Sequence, residues 1–402
     1  MAKSYGDLST NWAQLGADTL LAREPNINLK GKWEYEDGLT LNGLYAIYQL
    51  DPKPQYMAYI KQNIDQFVGD DAQIKGYNYD EFNLDHVNNG KAVLDLLAET
   101  GEQKYRDAAD LLFSQLIHQP RLNDGTFWHK GIYPYQCWLD GLYMGSVFYT
   151  RYLNLFGEQP TGLFYETAEL GTVEVGTFKD CQLQFINAYK NTVDADTGLC
   201  YHVYDEAKQQ PWADKETGLS PHFWLRSIGW FVMAMVDTIE YLPEDAGTRQ
   251  IQANLAKLLT ALSQHTCEKT GLWYQIVDAG TRPLNYLESS GSLMITAALA
   301  KAIRLDYIDA KTFAPIRDKA WTNALEQFLS IKTRGHAIGE EVQWVNVNKI
   351  CQMAGLGGNF PGRDGSYAYY METPIVANDH KGYGPFLLVS AEMQALRKAE
   401  EK

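Results

Sequence analysis

Asp124-Gly125-Thr126-Phe127-Trp128-His129-Lys130 runs, past Gly131, into Tyr133-Pro134-Tyr135-Gln136-Cys137-Trp138-Leu139-Asp140-Gly141-Leu142-Tyr143-Met144-Gly145. Gly131, Pro134 and Gly141 break any single regular element. The stretch reads as a turn, a short extended aromatic piece and then a helix with Asp140 near its start. Free backbone N–H groups and the helix dipole favour a carboxylate there. Similar turns recur at Thr197-Gly198-Leu199-Cys200-Tyr201-His202 and Thr270-Gly271-Leu272-Trp273-Tyr274-Gln275. Each precedes a Gly-containing helix, and a repeat of this size marks stacked supersecondary units.

Outward from these turns the pattern is helical almost throughout. Leu94, Leu97, Ala98 and Tyr105 recur at helical spacing, as do Ile251, Leu255, Leu258, Leu259 and Leu262. Six helices carry Gly and small or polar residues in their first turns. They begin near Asp37-Gly38, Asp85-His86, Asp140-Gly141, Arg226-Ser227, Ser289-Ser290-Gly291 and Tyr383-Gly384. Between them lie six amphipathic segments, near 8–22, 54–68, 103–118, 177–191, 248–265 and 311–330. Small residues let inner helices approach closely, so the pattern predicts an all-α fold, an (α/α)6 barrel of six inner and six outer helices. No linker divides the chain, and residues 1–402 read as one catalytic domain. The starts of the inner helices then gather round one mouth.

Apolar residues make up 45% of the chain, enough for a large core. The 10 Trp and 26 Tyr exceed what a core needs, because each must place a polar edge somewhere. Many are expected to line a wet cleft. A net charge of −15 argues against nucleic acid or an anionic membrane as partner, since both require basic patches. It is compatible with a small acidic oligosaccharide, which feels its local site. The five cysteines, 137, 181, 200, 267 and 351, are odd in number and lack CxxC spacing. They fit a reducing compartment better than a disulfide or zinc framework. With no apolar signal region in Met1–Asp7, a cytoplasmic location is expected. No phosphate loop, dinucleotide fingerprint or metal cluster stands out, so no cofactor and no metal is expected.

The candidate chemistry lies at the inner-helix starts. Asp140 alone would read as an N-cap, but Trp138, Tyr143 and the upstream Lys130 give it the company of a saccharide site. Aromatic faces stack on sugar rings, and Lys130 can hold an anion. Asp85, in Asn83-Leu84-Asp85-His86, also opens a predicted inner helix and could be a cap. If both carboxylates point into one mouth, repulsion and partial burial would raise one pKa and give a proton donor. Spacing does not say which. His202 ends the second aromatic turn, where a structural hydrogen bond is its ordinary use. Arg226, between Trp224 and Trp230, can grip a carboxylate by paired hydrogen bonds; its bland alternative is a surface salt bridge. His129 with Lys130, and Asp379-His380-Lys381, could each be a solvated loop.

Trp128-His129-Lys130, Tyr133-Pro134, Trp138-Leu139-Asp140-Gly141-Leu142-Tyr143-Met144 and Trp224-Leu225-Arg226-Ser227-Ile228-Gly229-Trp230 resemble the signatures of the unsaturated rhamnogalacturonyl hydrolases, glycoside hydrolase family 105. The resemblance runs from about Trp33 to about Gly384. It implies an (α/α)6 barrel that removes the 4,5-unsaturated sugar left by polysaccharide lyases. By motif match Asp140 takes the general acid/base position and Asp85 the second active-site carboxylate. Lys130, Trp138, His202, Trp224, Arg226 and Trp230 match pocket-lining positions. Cys137 stands where the family often has Met. The implied reaction is hydration of the C4=C5 vinyl ether, with Arg226 or Lys130 binding the uronate carboxylate.

Three other readings share these residues. One is an unsaturated glucuronyl hydrolase acting on a different acidic oligosaccharide. A sugar epimerase or isomerase on the same barrel usually wants a His pair, and only His202 is well placed. A non-catalytic carbohydrate-binding protein would use both carboxylates as caps.

Overall fold

The computed structural model describes residues 8–28, 30–71, 73–335, 341–358 and 362–400; Met1–Asp7, read above for a signal region, lies outside them. Among the described residues, six inner helical elements form a closed ring. They are α2 (Tyr35–Leu50), α4 (Gly90–Thr100), the composite α6 (Leu139–Gly141) and α7 (Val147–Phe156), α9 (Leu225–Ile239), α11 (Ser289–Arg304) and α14 (His380–Glu400). Each packs on the next, and α14 closes back on α2. The outer helices alternate with them in sequence: α1 (Trp12–Arg23), α3 (Pro54–Ile64), α5 (Gln103–His118), α8 (Phe178–Thr192), α10 (Ala246–Gln264) and α12 (Ala310–Phe328). This is the expected (α/α)6 barrel.

Small residues set the inner contacts. A Cβ on Gly43 of α2 would come within 2.7 Å of the Leu387 side chain and 2.9 Å of the Gly384 carbonyl on α14. Only a residue without a side chain permits that approach. The three repeated turns are the links from outer to inner helices. Gly125, Gly198 and Gly271 each adopt positive φ (87°, 72° and 70°), which reverses the chain at low steric cost.

The structure departs from the predicted pattern in two places. No inner helix starts at Asp85: residues Leu84–Val87 form one 3-10 turn, and α4 begins five residues later, at Gly90. The Asn83 side chain accepts the Asp85 N–H at 3.1 Å, and Asn88 Nδ2 donates to the Tyr35 carbonyl at 2.8 Å. The first bond is local and holds the backbone in a turn instead of a helix; the second reaches across to the start of α2 and anchors the end of that turn. Secondly, among the described residues four antiparallel two-stranded pairs accompany the helices. The one that matters to the mouth joins β1 (Gln136–Trp138) to β4 (Val203–Asp205).

Candidate active site

The β1–β4 ladder explains how distant turns converge. Trp138 pairs with Val203, and the Leu139 N–H donates to the His202 carbonyl at 3.3 Å. The chain then enters α6, so Asp140 and His202 arrive side by side. Trp138 occupies the cap position of α6 and makes no side-chain cap bond. Asp140 is one residue inside the helix, and its carboxylate serves no cap. A π-helical segment, Leu142–Ser146, follows it; such bulges appear frequently at functional sites. Asp140 Oδ2 lies 3.4 Å from His202 Nε2. Both atoms are buried, and neither has another hydrogen-bond partner among the described residues.

Asp85 sits in a second cluster. Leu84 N–H donates to the His129 carbonyl at 3.1 Å and Gly131 N–H to the Glu81 carbonyl at 3.0 Å, lacing the aromatic loop to the 3-10 turn. The Lys130 ammonium reaches Asp85 Oδ2 at 2.5 Å, and His129 Nε2 lies 3.5 Å from Oδ1. Burial alone would raise the Asp85 carboxyl, but Lys130 and His129 outweigh it and hold the pKa below the ordinary carboxylate range. Burial pushes the His129 imidazole down to about 4, so it is neutral near pH 7. Burial works against the Lys130 ammonium, yet Asp85 raises its pKa overall. Asp85 therefore does not carry the raised pKa that a repelling carboxylate pair would give. It is an ionised acceptor.

Arg226 projects from the first turn of α9 and is 2% exposed. It donates to the Cys351 carbonyl, to Ser290 Oγ at 3.3 Å and to the Gln352 carbonyl at 3.4 Å. Its guanidinium lies 4.7 Å over the Trp224 ring. Among the described residues its partners are neutral oxygens, not a carboxylate, which removes the surface salt bridge as an account of it. His202 is wedged between Trp138 and Trp224, with ring centroids 5.1 and 4.5 Å away. Trp138 also stacks on Tyr133 at 5.0 Å and on His129 at 5.2 Å.

Asp85, Lys130, Trp138, Asp140, His202, Trp224 and Arg226 line one cavity of about 470 Å³, inside the roughly 300–1,000 Å³ span of small-molecule sites. Trp230 does not join them. One helical turn below Arg226, it is 1% exposed and packs behind the wall, against Tyr143 at 4.9 Å and Tyr35 at 6.2 Å. Its place is in the core under the pocket, because position i+4 on α9 lies one turn deeper along the barrel axis.

The far wall holds residues that the sequence left aside. His380 and Lys381 open α14 and line the cavity. His380 Nε2 pairs with Glu24 at 3.1 Å, and Lys381 pairs with Glu36 at 2.9 Å and Asp379 at 3.0 Å. This is a paired wall, not a solvated loop. Asp37, bonded to the Asn28 amide, has its pKa raised by burial to about 7. Its signal in sequence was only its place at an inner-helix start. Among the described residues no group of three or more His, Cys, Asp or Glu could hold a metal ion, and no helix is long and apolar enough to cross a membrane.

A helical barrel whose mouth gathers carboxylates, aromatic rings and a buried arginine has the parts of a carbohydrate-processing enzyme. The family model of Glycosyl Hydrolase Family 88 matches residues 12–397. A glycoside hydrolase of family 105 from Clostridium acetobutylicum superimposes with a TM-score of 0.85 at 42% identity, covering 96% of this chain and 100% of that one. The chain is thus a glycoside hydrolase and belongs to the group formed by families 88 and 105. A possible member of family 105 from Klebsiella pneumoniae shares the fold with a TM-score of 0.73 at 19% identity, over 99% of this chain and 95% of that one. So does the unsaturated glucuronyl hydrolase of Bacillus sp. GL1, with a TM-score of 0.64 at 14% identity and 96% of each chain covered. Among curated sequences, "Protein Atu3128" of Agrobacterium fabrum is 36% identical over 225 residues, 55% of this chain and 92% of its own length.

Proposed function

We propose that this enzyme removes a 4,5-unsaturated uronic acid from the non-reducing end of lyase-generated rhamnogalacturonan disaccharides, by hydrating the C4=C5 vinyl ether. The observation that carries this reading is the unequal surroundings of the two carboxyl groups. Asp85 is held ionised by Lys130, whereas Asp140 has His202 beside it and, among the described residues, no Lys or Arg in contact. Ordinary glycosidases need two carboxyl groups in active proton or nucleophile roles. A vinyl ether needs one that gives a proton and takes it back.

In this reading protonated Asp140 donates to C4, and positive charge develops at C5 with the ring oxygen. Asp140, now a carboxylate, takes a proton from water as the water oxygen bonds to C5. The product is a hemiketal; its ring opens, and the remaining sugar departs from C1. Arg226 holds the C5 carboxylate, since its partners are neutral oxygens while Lys130 is committed to Asp85. Asp85 accepts from a ring hydroxyl and stabilises the developing positive charge. Trp138 and Trp224 flank the ring.

The second reading keeps this chemistry and changes the substrate to an unsaturated glucuronyl disaccharide. It is favoured by the unsaturated glucuronyl hydrolase of Bacillus sp. GL1, which shares the barrel. Comparing kcat/KM on Δ-uronyl-rhamnose with that on a Δ-glucuronyl disaccharide separates the two. A higher value on the rhamnose substrate supports the rhamnogalacturonan assignment, and a higher value on the other replaces it.

A further inference from the structure

Tyr370 belongs to α13 (Tyr367–Glu372), a short helix outside the ring, and no sequence motif marks it. The residue is completely buried. Its phenolic oxygen lies 3.1 Å from His202 Nδ1, the one hydrogen-bond partner it has among the described residues. A buried O–H without an acceptor is costly, so the phenol must spend its hydrogen on Nδ1. Burial drives the Tyr370 pKa well above its ordinary value, which keeps it a donor.

An imidazole that accepts at Nδ1 carries its hydrogen at Nε2 when neutral. Nε2 is the atom that faces Asp140 Oδ2 at 3.4 Å. That is longer than a formed hydrogen bond, and catalytic bonds in unliganded enzymes commonly tighten when substrate binds. The two ends of the ring agree: a donor at Nδ1 and an acceptor at Nε2 select the same tautomer.

We propose that Tyr370 is a positioning residue, which donates to His202 Nδ1, fixes the Nε2–H tautomer and aims that N–H at Asp140 Oδ2. With Oδ2 buried and facing that N–H, the transferable proton in this proposal is on Oδ1. After transfer, the same N–H stabilises the new carboxylate. The charged and titratable groups that act on this pair are His129, Lys130 and Tyr35, besides Tyr370 itself. The consequence for turnover rests on Asp140 being the acid/base, but the tautomer does not.

The test is long-range proton–nitrogen NMR on the 402-residue chain labelled with ¹⁵N-histidine, with His202 assigned by loss of its signals in His202→Gln. The expected spectrum has a pyridine-type Nδ1 and a pyrrole-type Nε2. In Tyr370→Phe the two nitrogens should average or exchange roles. That variant's kcat on the unsaturated disaccharide should fall about fivefold, the size of one neutral hydrogen bond, with KM near wild type. A pyrrole-type Nδ1 in the wild type would overturn the proposal, as would a Tyr370→Phe variant with unchanged tautomer and kcat. Should Tyr370→Phe fail to fold, the wild-type spectrum alone decides. If no unsaturated uronide is turned over, the functional reading fails while the spectrum still tests the tautomer.

Discussion

The Lys130 ammonium stands 2.5 Å from Asp85, and this contact keeps the Asp85 carboxylate ionised. Because Lys130 and His129 hold the Asp85 pKa below its ordinary value near ~3.9, the pair stabilises the fold above about pH 4. That contribution is lost as pH falls through the lower, folded value. Lys130→Met leaves a largely buried carboxylate unpaired, which costs on the order of 3 kcal/mol and lets Asp85 protonate at higher pH. The acid limb of kcat/KM should therefore move to higher pH, and Lys130→Arg should restore it. An acid limb that stays in place in Lys130→Met would mean that Lys130 does not govern Asp85.

Arg226 should determine affinity for the uronate. Its fork can meet both carboxylate oxygens, which an ammonium cannot. Arg226→Lys should lower kcat/KM by about 100-fold, chiefly through KM. The penalty should shrink on the methyl ester of the unsaturated sugar, which presents no carboxylate. Equal penalties on acid and ester would argue that Arg226 only supports the loop carrying Cys351 and Gln352.

The barrel contains a structural ion pair far simpler in role. Arg121 meets Asp180 through two bonds of 2.6 and 2.8 Å, at side-chain exposures of 2% and 0%, and the Tyr149 hydroxyl adds a third bond to Asp180 at 2.6 Å. Arg121→Met strands a buried carboxylate and should cost ~3–5 kcal/mol in urea unfolding. A loss below about 1 kcal/mol would place the pair among weakly contributing contacts.

Asp37 should tune stability against pH in the opposite sense to Asp85. Burial raises its carboxyl to about 7, so the folded chain binds the extra proton between about pH 4 and 7. Its contribution is destabilising as pH rises through that window and constant above it. Asp37→Asn should flatten that part of the stability profile and raise stability at pH 8 by ~1–3 kcal/mol. A profile that keeps its slope in the variant would assign the titration to another group.

How much of this was legible in the sequence depended on whether the signal was local. The alternation of small-residue and amphipathic helices is written in spacing, so α5 falls on the predicted 103–118 and the ring closes as expected. The departure at Asp85 came from the Asn83 side chain competing for the neighbouring backbone, with Asn88 tied across to Tyr35, neither of which periodicity registers. Asp140, Lys130 and His202 sit in aromatic turns and could be singled out. Their pairing depends on the β1–β4 register, which joins segments more than sixty residues apart. Trp230 shares a motif with Arg226 yet lies a turn deeper, a distinction of depth that sequence spacing alone did not settle. Tyr370 and Asp37 gain meaning only from what they touch.

The central claim is that Asp140 drives hydration of a C4=C5 double bond. The conjugated double bond and carboxylate of an unsaturated rhamnogalacturonan disaccharide absorb in the ultraviolet, and hydration destroys that chromophore. The wild-type enzyme should abolish the absorbance in step with release of rhamnose. Asp140→Asn, with unchanged circular dichroism, should leave it intact. Loss of absorbance at a near-wild-type rate in Asp140→Asn would contradict the account and remove Asp140 from the reaction.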